Sequence, residues 1–331
     1  MSAGADVGRN DAQDLNYYAY QQLAASETKR KQLRANASLP KEAWKSIDDT
    51  VFQTMDAVLN IVDDLRAFGL TNDEDLNNKT TEWHVIDDDH QATVAMQPET
   101  ATDEGNLDYD LRGAVLPIVQ ADFSIGFRDG GTATEGGGTA SEIETLNAEY
   151  AARAVAEKME DIVYNGVDFT VGNDGYTSYG LTNHPDVHTG SLSDWESDPS
   201  SVRDDLRGMF SDIKDDKFFP DNNGYQVYTS RDRMDRLEDI DPDGSGDLLV
   251  RDRVENLNDL GSLDVADYLP DDSVLAFRPT TDVVDLTFAA EEQTVQWESP
   301  FRDRFKVMSI FTPRVKSTKH NQCGIAFYNG S

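Results

Sequence analysis

The run Asp239-Ile240-Asp241-Pro242-Asp243-Gly244-Ser245-Gly246-Asp247 has the spacing of a calcium loop. In such a loop alternate carboxylates, here Asp239, Asp241 and Asp243, converge on a hard cation, and a glycine permits the sharp turn. Position twelve should add a bidentate Glu, and the residue there is Val250. Two readings stay open: a divalent-cation site, or an acidic turn of the kind any Asp-rich chain produces. Other chemistry is thinner. His184 and His188 lie four residues apart but straddle Pro185, so they share no helical face on which to hold zinc. Cys323 is the only cysteine, which excludes an internal disulfide and a thiolate metal cluster. There is no G-x-S-x-G elbow, and Gly136-Gly137-Gly138-Thr139 lacks the Lys of a phosphate cradle. No nucleophile stands beside a placed base. The chain is therefore expected not to be an enzyme, and to need no cofactor beyond the candidate cation.

Charge bounds the rest. The chain has 63 Asp and Glu against 29 Lys and Arg, a formal net charge of -34 over 331 residues. Such self-repulsion opposes folding and association in ordinary buffer. At about 1 M salt the Debye length falls to roughly 3 Å and the repulsion largely disappears, so the composition implies a working environment of very high salinity. It also argues against general nucleic-acid affinity, which needs a basic surface. One basic island interrupts it, Lys29, Arg30, Lys31 and Arg34, at the end of a helix expected over about 11–35. The island reads either as a solvated helix face or as contact with an anionic partner such as nucleic acid. No apolar run approaches about 18 residues, and the polar residues 1–15 carry no export signal. Neither a membrane span, nor export, nor removal of an N-terminal propeptide is expected.

The element that must position everything else is Ser141 to Gly166, SEIETLNAEYAARAVAEKMEDIVYNG. Ser141 and Glu144 have capping-box spacing, and Asn165-Gly166 supply a left-handed stop. Wound at about 100° per residue, it puts Glu142, Glu149, Arg153, Glu157 and Glu160 on a polar face. Ile143, Leu146, Tyr150, Ala151, Ala154, Val155, Met159 and Ile162 fill a wide apolar arc expected to be buried. At about 1.5 Å per residue this spine is roughly 36–39 Å long. Before it, one helix is expected over 41–68 and a polar connector over 71–80. Short strands are expected at 81–85 and 92–96, then a long strand over 109–127 broken at Leu116-Pro117. The stretch from Thr80 to Arg112 has too few large apolar residues for a core of its own, so it reads as a projecting hairpin that leans on something else. After the spine come a polar loop with Gly180-Leu181-Thr182-Asn183, a helix at 201–214, a strand at 225–229 and helices at 231–237 and 250–257. Late strands are expected at 263–268, 274–278, 283–288, 294–297, 305–315 and 323–328.

In this order the parts resemble the Hong Kong phage-type capsid fold, shared by major capsid proteins of tailed viruses and by encapsulins. The resemblance runs from about residue 40 onward. It is most specific in Leu116-Pro117 to Phe127 of LPIVQADFSIGFRD, in the spine with Glu160-Asp161 and Gly166 ending MEDIVYNG, and in Gly180-Leu181-Thr182-Asn183 of YGLTN, a stretch similar to the encapsulin branch. The fold it implies is α+β: an N-terminal helical arm (1–79), an extended hairpin loop (80–112), a peripheral domain (113–200) with the spine helix 141–166, a mainly axial domain (201–298), and return strands to the peripheral domain (299–331).

The resemblance implies a mechanical function. Subunits of this fold assemble into pentamers and hexamers of an icosahedral shell, and the projecting hairpin would lie across a neighbour through Trp83, Val85, Val94 and Met96. For a virus of a haloarchaeal host the shell would enclose double-stranded DNA, facing Lys29, Arg30, Lys31 and Arg34. Its partners would be other copies of the chain, with portal, scaffold and decoration proteins, and no membrane; it would be made in the host cytoplasm and end in the virion. An encapsulin shell around a protein cargo is the alternative, and an acidic calcium-binding surface protein the outsider. Some relatives join subunits through a hairpin Lys, but no Lys occurs between Lys79 and Lys158, so an uncrosslinked shell is expected.

Overall fold

The computed structural model describes residues 41–88, 107–126, 140–171, 174–215, 224–239, 249–299, 302–318 and 321–330. The spine is helix α3 (Ala140–Asn165), preceded by α1 (Lys41–Asp56), α2 (Ile61–Ala67) and strands β1 (Thr71–Asp73), β2 (Thr80–Asp88), β3 (Leu107–Val115) and β4 (Ile118–Gly126). After it come β5 (Val167–Val171), β6 (Asp174–Ser178), β7 (His188–Leu192), α4 (Ser201–Lys214), β8 (Tyr225–Thr229), α5 (Arg231–Leu237) and α6 (Val250–Glu255). The chain continues through β9 (Leu260–Val265), β10 (Ser273–Phe277), β11 (Val284–Ser299), β12 (Arg302–Val315) and β13 (Ile325–Gly330).

Two sheets flank the spine. The first has the order β1-β11-β12-β4 and is built on the long antiparallel pair β11 and β12. The alanines Ala148, Ala152 and Ala156 are fully buried, and their small side chains let α3 lie close to α1, β4 and β12. The second sheet has the order β7-β13-β10-β8-β9. Its strands β8 and β10 are buried on both faces, because alternate residues serve two cores. Tyr228, Leu275, Phe277 and Phe327 point to the spine cluster. Val227, Val274, Ala276 and Ala326 point to a second cluster closed by Leu206, Met209, Phe210 and Ile213 of α4. A continuous apolar run in a short strand is the sequence mark of this double burial.

Several expectations are corrected. The helix expected over 41–68 is two helices, interrupted at residues 57–60, because α2 restarts on a carboxylate supplied by α3. The break expected at Leu116-Pro117 is present, and the two pieces, β3 and β4, enter different sheets. The polar stretches 71–80 and 167–192 contain β1, the β5-β6 hairpin and β7. Within the segment 299–331, β12 pairs with β4 and β11, whereas β13 joins β10 and β7 in the five-stranded sheet. On the spine, Ala154, Leu146 and Tyr150 are exposed rather than buried, and Glu160 leaves its polar face for the core at 1% exposure. Among the described residues no helix is long and apolar enough to cross a membrane.

Candidate subunit interface

The hairpin β2-β3 is continuous from Thr80 opposite Val115 to Asp88 opposite Leu107. Period-two alternation sends Thr81 and Val85 inward and Glu82 and His84 outward. The root is anchored to the body. Arg112 donates to Ser317 Oγ at 2.7 Å, and the Arg314 guanidinium lies 5.8 Å from the centre of the Trp83 ring. Arg314 is itself held by a two-pronged pair with Asp285, at 2.6 and 2.7 Å. Beside this root a cleft of about 300 Å³ is lined by Trp83, Arg112, Tyr179, His184, Pro185 and Pro313. Burial, opposed by Asp186, pushes the His184 imidazole down to about 4, so it is neutral and its Nδ1 accepts the Asp186 N–H at 3.2 Å. Among the described residues from 80 to 115, none belongs to the hydrophobic clusters of the body, and Leu111 is 54% exposed. A hairpin of this length without a core of its own cannot be stable alone.

The exposed apolar side chains of the body have a similar distribution. Phe52 on α1, Leu146 and Tyr150 on the first half of the spine, and Phe169 on β5 all lie open, Tyr150 at 70%. Large exposed apolar side chains of this kind are common on surfaces that meet another molecule.

The second half of the spine is closed by the chain itself. Gly166 takes φ +68, and the loop after β6 returns to supply donors to the last helical carbonyls. Leu181 N–H meets Val163 O at 2.9 Å, Thr182 N–H and Oγ1 meet Tyr164 O at 3.0 and 2.8 Å, and Asn183 Nδ2 meets Asn165 O at 2.6 Å. The Gly-Leu-Thr-Asn run is therefore a helix cap delivered from a distance. A Cβ on Gly166 would lie 2.2 Å from Ser178 O, and one on Gly180 would lie 2.3 Å from Tyr164 O, which is why both positions are glycine.

Glu160 joins three parts of the molecule. Its Oε1 accepts the N–H of Asn60 at 2.7 Å and of Val62 at 3.3 Å, at the start of α2. Asn60 Nδ2 in turn donates to Val265 O at the end of β9, at 2.6 Å. Burial raises the Glu160 carboxyl from 4.5 to about 7, against the lowering effect of these backbone N–H groups. Nearby, Tyr228 of β8 donates to Asp64 of α2. The helices before the spine are thus tied both to it and to the five-stranded sheet.

Of the residues singled out in the sequence, Trp83 and Val85 sit at the hairpin root. Val94, Met96, Asp241, Asp243, Lys29, Arg30, Lys31 and Arg34 lie outside the described residues, as does the strand expected at 92–96. Asp239 is exposed, and its carbonyl accepts the Val250 N–H at 3.0 Å, which closes the base of the acidic loop. His184 and His188 are held apart, the second with Nε2 3.1 Å from Cys323 O. Sequence reasoning missed Glu160 and the exposure of Leu146 and Tyr150, since a helical wheel does not say which half of a helix a sheet will cover.

Comparison with known proteins places the fold. A model described as Family of unknown function (DUF6260) matches residues 34–327. No curated protein matches the sequence. Among solved structures, a virus-like particle from Pyrococcus furiosus is similar over 85% of this chain and 96% of its own, with a TM-score of 0.57 and 12% identity. The capsid of Myoviridae phage XM1 is similar over 77% and 87%, with a TM-score of 0.60 and 10% identity. The mature capsid of bacteriophage PhiM1 is similar over 80% and 86%, with a TM-score of 0.52 and 11% identity. The architecture is the α+β Hong Kong phage-type capsid fold.

Proposed function

We propose, for a chain that belongs to the family of unknown function DUF6260, that it is the structural major capsid protein of a tailed virus. Copies assemble as pentamers and hexamers into an icosahedral shell around double-stranded DNA. The observation that carries this reading is a capsid fold whose hairpin and first spine half leave apolar surface uncovered, as a shell subunit would before meeting its neighbours. Interfaces of that obligate kind commonly bury more than about 2,000 Å². Residues 1–79 serve as the arm, 80–112 as the hairpin that crosses a neighbour through Trp83, Val85, Val94 and Met96, 113–200 as the peripheral domain, 201–298 as mainly the axial domain and 299–331 as return strands. Lys29, Arg30, Lys31 and Arg34 face the genome. Portal, scaffold and decoration proteins are the further partners. The chain is made in the host cytoplasm and ends in the virion. Its net charge of -34 suits a haloarchaeal host, and any cation site is at Asp239, Asp241 and Asp243.

The test is electron microscopy of particles purified in high salt, with nuclease protection on the same fraction. Large isometric shells with protected double-stranded DNA are expected. Small shells with a protein cargo would favour the encapsulin reading, to which the Leu116 to Asn183 stretch is similar; chains that remain single at all concentrations would overturn both. With no Lys between Lys79 and Lys158, mature particles should run as single subunits on a denaturing gel. Dialysis to low salt should loosen the shell, read as a fall in light scattering, because the unscreened charges repel.

A further inference from the structure

The four-stranded sheet ends on β4, and that strand lacks the usual protections of a sheet edge. It pairs with β12 from Ile118 opposite Ile310 to Gly126 opposite Arg302, nine residues without a register shift. It contains no proline and one ionisable side chain, Asp122, which lies 3.4 Å from Lys306 Nζ of β12. Gln120, Asp122 and Ser124 are exposed, and among the described residues no strand pairs with the other edge of β4. The opposite end of the sheet, β1, is only three residues long. Proteins shorten, charge or kink their edge strands because a row of unpaired backbone groups accepts another strand. In a chain of net charge -34, β4 keeps a long, straight edge whose one charge is neutralised.

The hairpin β2-β3 has the complementary deficit. It is a two-stranded sheet whose strands are also nine residues long, and a pair of that kind needs a third strand or a packed face. Strand β3 runs beside β6 of its own body, so β2 is the one left without a second strand among the described residues. The register also sets Asp87 directly opposite Asp108, and like charges facing each other across a ladder are destabilising. Beside β4 the sheet offers the opposite sign. Arg304, exposed and in register with Ser124, and Lys306, in register with Asp122, lie on the face away from the fully buried Phe305.

We propose that the hairpin of one copy adds through β2 to the open edge of β4 in another copy, so that one sheet runs across the subunit boundary, with Asp87 and Asp108 set near Arg304. This rests on the shell reading and names its contact. Main-chain hydrogen bonds give strand addition its affinity, and alternate side chains give it specificity. The two edges are different surfaces of the molecule, so the contact is head-to-tail, and a head-to-tail contact generates rings where its rotation closes.

Hydrogen exchange on the full-length wild type, in high salt, compares dilute subunits with assembled shells. Amides in 118–126 and in 80–88 should both exchange at least tenfold more slowly in shells. Full protection of 118–126 already in dilute subunits would show that the chain covers its own edge, and would overturn the inference. Oxidation then reads the register, in shells mixed from Gln120→Cys or Ser124→Cys chains and chains with one cysteine at position 84, 85, 86 or 87. Cys323 is fully buried and serves as the unreactive background. Disulfides between copies should form at alternate positions, 84 and 86 or 85 and 87, as strand pairing demands. Equal yields at all four positions, or none from either β4 cysteine, in shells that still form would overturn the inference and leave the shell reading intact. Gln120→Cys chains that couple to one another would assign the edge to a second β4 and overturn it too. Arg304→Glu should raise the subunit concentration at which shells first form at least tenfold without moving the thermal unfolding of dilute subunits. An unchanged concentration would overturn the pairing of Arg304 with the hairpin acids. A wild-type chain that forms no shells would remove both readings.

Discussion

The two halves of the spine helix are made from similar residues and meet different fates. The second half is finished within the chain: its carbonyls are capped by Leu181, Thr182 and Asn183, its face is packed by both sheets, and its one buried acid, Glu160, starts another helix. The first half presents Leu146 at 54% and Tyr150 at 70% exposure, and the core-deficient hairpin has the same unfinished character. On the shell reading, the difference separates residues that specify the subunit from residues that meet another subunit. Substitutions in the second half should therefore register in subunit stability, and substitutions in the first half in assembly.

The strongest way to break this comparison is at the cap. Gly166→Ala places a methyl group 2.2 Å from a backbone carbonyl at a positive φ, where neither side can yield. A loss on the order of 4 kcal/mol, or failure to fold, is expected in denaturant unfolding. A loss under about 1 kcal/mol would show that the loop, not the helix end, adapts.

Glu160→Gln comes next. The folded carboxyl titrates near 7, above its ordinary 4.5, so folding takes up a proton. Its contribution is fully present below about pH 4.5 and is lost as pH rises through 7, by about 3 kcal/mol at most. Unfolding of wild type and Glu160→Gln across this range should give a difference that changes with that sign. A pH-independent difference would sink the assignment.

Arg153→Ala removes an exposed ion pair one turn apart, with Nε 3.0 Å from Glu157 Oε1. It should cost about 0.3–0.5 kcal/mol in low salt and nothing measurable in about 1 M salt. The smallest effect on the subunit is expected from the double substitution Leu146→Ser with Tyr150→Ser, within about 0.5 kcal/mol. Light scattering on the same sample should nonetheless show assembly largely lost. Equal assembly by that variant would remove the division between the two halves.

Much of this plan was legible in residue order. The spine, its Asn165-Gly166 stop, α4, β8 and α5 follow from local periodicity and local caps, and local signals do not depend on distant partners. The break between α1 and α2 was not legible, because its cause, Glu160, lies 100 residues away from Asn60 in the chain. The β5-β6 hairpin was hidden by polar side chains such as Asp168, Thr170 and Asp174, since strands at a surface need no apolar run. The interface was half legible: the apolar poverty of 80–112 flagged the hairpin, whereas Tyr150 carried the same hydrophobic signal as buried Met159. Which of the two is covered depends on where β4 and β12 end, a property of the tertiary fold.

Strand β13 occupies an interior place in the five-stranded sheet, between β7 and β10, although it follows every other described strand in the sequence. During synthesis β8, β9 and β10 emerge first, leaving β10 with an open edge of unpaired backbone groups until residues 325–330 arrive. An open edge is a template for pairing with another nascent chain, so the interval is a hazard on a polysome crowded with identical chains. It also fixes an order: the sheet that supports one side of the spine closes only after residues 325–330 have emerged, later than every other described strand.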